Sequence, residues 1–249
     1  MFKGFLGELI GTFVLVFIGC GSVGYSLFIS PLDLWQIALI WGVGVTLAIW
    51  SALPFSHAHL NPAVSIGFLI SRTLKRREFL PYLTGQFAGA MLAAVVLYLI
   101  FIGNIENLDL NSAMMFGEYY PNPGNASLHE LSTFSAFSLE CLGTFALMFG
   151  ILKIIKMKFE KAKLIHPLLI GLLLSILIFC IAPYTQAGFN PARDFGPRLI
   201  SYLAGWDMAF SYNGLGWFNV YVFGPILGAV MAASFDRKSN LKKMMPVGG

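Results

Sequence analysis

The chain reads as an all-α membrane protein: six transmembrane helices and two re-entrant half-helices, arranged as an inverted repeat of three plus three. Three observations point there. Of 249 residues, 57% are hydrophobic and only 11% are charged, too apolar for a soluble domain of ordinary composition. All but two of the 16 Lys and Arg residues fall in connections on one side of the apolar runs. The two halves also share matching blocks, each including an Asn-Pro-Ala triplet.

The first apolar run, 5–29, carries Glu8 and is long enough to cross, so it reads as a span and not as a signal peptide. Further spans fall at 34–53, 80–102, 133–155, 164–181 and 216–235. Two segments, 62–71 and 191–204, are helix-like but too short to cross, at about 1.5 Å per residue. Asn61 and Asn190 suit the N-cap, and Pro62 and Pro191 suit the first helical position. Each segment therefore reads as a half-helix.

Lys3, the cluster 72–77, the lysines of 153–163 and the basic residues of 237–243 share one side. The opposite connections hold Asp33, Glu106, Asp109, Glu118, Glu130 and Asp207 but no Lys or Arg. The positive-inside rule puts both termini in the cytoplasm. The net charge of +4 is thus a topology signal, not one for nucleic acid. Cys20, Cys141 and Cys180 lie in apolar runs without ligand spacing and read as buried free thiols. No catalytic triad, acid pair or metal set converges in the pattern, so no cofactor is expected and the chain does not read as an enzyme.

Glu8-Leu9-Ile10-Gly11-Thr12-Phe13 aligns with Glu140-Cys141-Leu142-Gly143-Thr144-Phe145, and Gly85–Gly89 with Gly224–Gly228. Three spans per half is an odd number, so the halves are inverted and both half-helix N-termini point at mid-depth. Non-helical backbone at that depth must line a wet cavity or be buried in protein. Glu8 and Glu140 are costly in a membrane; their symmetry suggests that each braces the loop of its half. The boundaries read as repeat one at 4–103, an external connection at 104–132, repeat two at 133–235, and a cytoplasmic tail at 236–249.

Two Asn-Pro-Ala boxes in an inverted six-span repeat resemble the aquaporins, or major intrinsic proteins, over about 4–235. Asp194 in Asn-Pro-Ala-Arg-Asp-Phe-Gly-Pro, Tyr120-Pro121-Asn122-Pro123 and Leu203-Ala204-Gly205-Trp206 are similar to the glycerol-facilitator branch. The resemblance implies a homotetramer in the lipid bilayer, with one pore per subunit (1–235). Each pore would pass glycerol, related small neutral solutes and water, and exclude protons and ions. A channel of the same family mainly for water, or for other neutral solutes such as urea, small protonated acids, hydrogen peroxide or metalloid hydroxides, forms the alternative; an ion-coupled transporter is a remote one.

The resemblance also assigns residues. The boxes Asn61, Pro62, Ala63 and Asn190, Pro191, Ala192 would form the centre. Carbonyls of His57, Ala58, His59 and of Gln186, Ala187, Gly188 would line the path. Arg193 would be the fixed cation of the outer constriction, with Trp41, Ile178 and Ala187 as its other members. Trp-Ile-Ala-Arg resembles the filter of nodulin-like plant channels more than that of typical glycerol facilitators. Asp194 reads as structural, offsetting the helix dipole, and Arg198 could equally sit at the interface. His57 stands where the family usually has Gly and is a candidate gate; His166 reads as packed or interfacial; Asn125 opens a glycosylation sequon.

Overall fold

Apolar length and the glycine pattern dictate the architecture. The computed structural model describes residues 2–244, with side chains to Arg237; Met1 and 245–249, the end of the expected tail, lie outside the described residues. Six segments are long and apolar enough to cross a membrane. Five are continuous: α1 (Phe2–Phe28), α2 (Leu34–Ala52), α4 (Arg76–Phe101), α6 (Thr133–Ile154) and α7 (Ala162–Thr185). The sixth is composite. It joins α10 (Gly216–Phe218), a π-helical turn (Asn219–Phe223) and α11 (Gly224–Met244). The half-helices are α3 (Pro62–Ile70) and α8 (Pro191–Leu203), and one-turn helices α5 (Leu110–Ala113) and α9 (Met208–Ser211) sit in the connections.

The repeat is visible in the packing. α1 lies along α4, and α6 lies along α11 in the same way. A Cβ at Gly89 would collide with Leu9 O, and one at Gly228 with Cys141 O. Small residues thus set both contacts, as expected where apolar lipid removes the hydrophobic drive between helices. A second symmetric pair matters more for the site. A side chain at Gly11 would strike Leu60, and one at Gly143 would strike Phe189. These glycines admit the bulky residue that precedes each Asn-Pro-Ala.

Large apolar side chains remain exposed on the outer faces, including Leu39 and Val43 of α2 and Leu172, Ile176 and Phe179 of α7. A surface this apolar needs lipid or another subunit against it. Cys180 also lies on the exposed face of α7, whereas Cys20 and Cys141 are buried. The expectation of three buried thiols is therefore corrected at Cys180: an apolar span has a lipid-side face as well as a packed one.

Candidate functional site

The site begins with backbone that no helix or sheet satisfies. In the loop before α3, Ala58 and Leu60 have φ of 54° and 56°; in the loop before α8, Ala187 and Phe189 have φ of 62° and 51°. Left-handed backbone at residues other than glycine costs on the order of 1–3 kcal/mol each, so something must hold it. Glu8 does so in the first half. It accepts from His59 N at 2.9 Å, Leu60 N at 2.6 Å, Ser56 Oγ at 2.7 Å and Gln86 Nε2 at 2.7 Å. Glu140 does so in the second, accepting from Gly188 N at 3.0 Å, Phe189 N at 2.8 Å and Thr185 Oγ1 at 2.6 Å. Both acids are fully buried.

The half-helices meet at their caps. Asn61 Oδ1 accepts from Ala63 N at 2.8 Å, and its Nδ2 donates to Phe189 O of the opposite loop at 2.9 Å. Asn190 Oδ1 accepts from Ala192 N at 3.0 Å, and its Nδ2 donates to Leu60 O at 2.8 Å. Each cap therefore ties its own helix to the other repeat. An Asn amide carries two N–H donors, so each retains one for a passing molecule. Pro62, Ala63, Pro191 and Ala192 are buried in the first turns behind the caps.

Two cavities lie along the path, the inner one at this junction and the outer one beyond it. The inner one, of about 240 Å³, is lined by His57, Ala58, His59, Asn61, Ala187, Gly188 and Asn190, with Lys163 and His166 among its other walls. The outer one, of about 540 Å³, is lined by Glu118, Asn122, Asn125 and Gln186, among others. Trp41, Ile178 and Arg193 line both. They form the partition, and each is less than a tenth exposed. The Arg193 guanidinium lies 4.6 Å from the centre of the Trp41 ring, a cation–π arrangement that fixes both groups. Ala187 belongs to the inner cavity only, and Gln186 to the outer one.

The connection at 104–132 contributes more to the site than its sequence suggests. Its chain folds down onto the constriction. Asn122 Nδ2 donates to Ala182 O at 2.6 Å and Asn125 Nδ2 to Pro183 O at 2.9 Å, anchoring it to the end of α7. Asn125 is thus engaged at the cavity rim through the amide a glycan would use. Tyr119 N donates to Gln186 Oε1 at 2.8 Å. Glu118 N donates to Asp194 at 2.8 Å, and Arg198 donates to Glu118 O. The Glu118 side chain then reaches Arg193, with Oε1 at 2.5 Å from Nη2.

Two assignments change as a result. Arg198 is not interfacial: it is 1% exposed and donates to Asp194, Glu118 O and Ala209 O. Asp194 does more than offset a dipole, since it holds Arg198 and the backbone of Glu118 together. The spacing of Asp194 and Arg198, four apart on one half-helix, was the available signal. Burial pushes the Glu118 carboxyl up to about 8, against the opposing pull of Arg193 and Arg198. His57 is exposed at the inner mouth and its N–H donates to Tyr82 Oη at 3.0 Å. His166 contacts Met157 O at 3.1 Å through Nε2.

Known proteins resemble this chain along nearly its whole length. The profile described as Major intrinsic protein matches residues 1–235. The glycerol uptake facilitator protein of Escherichia coli (strain K12) is 34% identical over 252 residues, spanning 94% of this chain and 86% of its own. That of Pseudomonas aeruginosa is 36% identical over 247 residues, covering 92% and 85%. The propanediol uptake facilitator PduF of Salmonella typhimurium is 33% identical, covering 92% and 90%. The X-ray structure of the aquaglyceroporin from Plasmodium falciparum superposes with a TM-score of 0.84 at 27% identity, covering 97% of each chain. With its capped half-helices meeting at the inner cavity and its match to the family over nearly all its length, the chain belongs to the major intrinsic protein family.

Proposed function

We propose that the protein is a passive membrane channel for glycerol and related small neutral solutes, with water as co-permeant. One observation carries this: an apolar passage narrows between two cavities where Trp41 and Ile178 face Arg193, with two Asn amides just beyond. A polyol has a carbon side and a hydroxyl side. The Trp41 ring and Ile178 meet the first; Arg193 and the loop carbonyls of His57, Ala58, His59, Gln186, Ala187 and Gly188 meet the second. The glycerol and propanediol facilitators among the relatives support the solute class.

Glu8 and Glu140 collect the loop N–H groups, which leaves the carbonyls to turn toward the path. The positive ends of α3 and α8 face each other at mid-depth and repel cations. Asn61 and Asn190 donate to a passing oxygen from both sides, which breaks a continuous donor chain and hinders proton hopping, as in pores of this kind generally. Glu8 and Glu140 brace the loops and do not relay protons.

In the membrane, the basic connections face the cytoplasm and both termini lie there. The segment 104–132 is then extracellular, and residues 1–235 form one channel domain of two inverted repeats. The exposed apolar faces of α2 and α7 suit packing between subunits of a homotetramer. Stopped-flow light scattering of proteoliposomes tests the function. Glycerol-driven swelling well above that of protein-free vesicles, with no accumulation driven by a proton gradient, is expected. Glycerol flux no faster than in protein-free vesicles would overturn it.

A further inference from the structure

Two buried polar atoms lie at the outer side of the partition, and the proposed channel function uses only one of the two residues that carry them, Arg193. Arg193 Nη1 and Glu118 Oε2 are buried, and neither makes a hydrogen bond among the described residues. Arg193 Nη2 and Glu118 Oε1 occupy each other. One donor and one acceptor are therefore left over at the same place, on residues 4% and 1% exposed that line the outer cavity. Buried polar groups are normally satisfied. Both residues line the outer cavity, so a solute entering the constriction meets a donor and an acceptor side by side.

We infer that Glu118 is a specificity-determining residue of the constriction, forming with Arg193 a donor–acceptor pair that favours solutes able to donate a hydrogen bond. The inference rests on the proposed channel function. Arg193 alone would serve any solute bearing an acceptor, whether ether, carbonyl or hydroxyl. Glu118 adds an acceptor that only an O–H or N–H can use, so a vicinal diol is held at both oxygens while an ether is held at one. The carboxylate is rigidly placed: its backbone is fixed on both sides, by Asp194 at the N–H and by Arg198 at the carbonyl. Once Glu118 is ionised, the two cations Arg193 and Arg198 face the two anions Glu118 and Asp194.

The groups facing Glu118 are Arg193, Asp194 and Arg198 from α8, Glu140 from α6, Cys20 from α1, Tyr221 from the π-helical turn and its neighbour Tyr119. With its carboxyl near 8, Glu118 passes from protonated to ionised between about pH 7 and pH 9. The ionised form is the better acceptor. Preference for donor solutes therefore rises with pH across that interval.

The test compares ethylene glycol with 1,2-dimethoxyethane, which shares the O–C–C–O chain but has no donor. Fluxes are measured in proteoliposomes with equal pH on both sides, for wild type, E118Q and E118L. At pH 9 the diol-to-ether flux ratio should fall about tenfold or more in E118L, the loss of one charge-assisted hydrogen bond, and less in E118Q, which keeps an acceptor. In wild type the ratio should rise from pH 7 to pH 9, and in E118Q that rise should vanish. Equal losses for both solutes, or a wild-type pH profile that survives in E118Q, would overturn the role of Glu118 and leave the channel function standing. Wild-type protein that passes neither solute would instead overturn the channel function itself.

Discussion

Replacing Glu8 by Gln exchanges one carboxylate oxygen for an NH2 group, which only donates. The outcome depends on which groups each oxygen serves. Oε1 of Glu8 serves Ser56 Oγ and His59 N, and Oε2 serves Leu60 N and Gln86 Nε2. The Ser56 hydroxyl can rotate and the Gln86 amide can flip, since its Oε1 has no partner among the described residues. The two backbone N–H groups cannot turn. Whichever way the new amide points, His59 N or Leu60 N faces a donor. A buried N–H left unpaired costs about 1–3 kcal/mol, and loss of the charge weakens the remaining bonds. The total is about 3 kcal/mol, released where Ala58 and Leu60 already hold positive φ. At roughly 2–4 °C per kcal/mol for a chain of this size, the detergent-solubilised protein should melt roughly 6–12 °C lower. Glycerol flux should drop with it, because the carbonyls of the first loop lose their alignment. Melting is followed by size-exclusion fluorescence and flux by light scattering. An E8Q protein with wild-type melting and wild-type glycerol flux would refute bracing. One with normal melting that had lost proton-driven uptake would show that the acid is a relay.

The same geometry sets the outcome of three further substitutions. R198A leaves Asp194 buried and uncompensated and frees Glu118 O; a loss of about 3–5 kcal/mol should appear as poor folding yield or a much lower melting temperature. A187F puts a ring into the inner cavity beside Ile178, so glycerol flux should fall far more than water flux in paired stopped-flow runs. N190A removes the α8 cap and the tie to Leu60 O; the cap alone is worth about 1 kcal/mol, and glycerol flux should fall by more than that loss of stability explains.

Much of this molecule was legible in the sequence. The six spans come from apolar length. The half-helices come from Asn61 and Asn190 standing before proline, and both Asn side chains do accept from the first-turn N–H groups. The repeat-related positions of Glu8 and Glu140 pointed to contacts with the loops, and both acids bond the loop N–H groups of their own halves. The features that escaped have a common cause. The left-handed backbone at Leu60 and Phe189 carries no composition signal, because it is enforced by distant carboxylates and by room at Gly11 and Gly143. Glu118 sits in an irregular connection without periodicity, and its partners lie more than seventy positions away in the chain. The burial of Arg198 depends on that same connection. Nothing local distinguishes a buried arginine from one that reaches an interface.

The most direct measurement places a reporter in the partition. In a variant whose Cys20, Cys141 and Cys180 are replaced by Ala, Ile178 is changed to Cys and treated with a small methanethiosulfonate reagent. Labelling is verified by mass. If solute passes between Trp41, position 178 and Arg193, complete labelling abolishes glycerol flux, and reduction of the mixed disulfide restores it. Fully labelled protein that passes glycerol at the unlabelled rate would contradict the path.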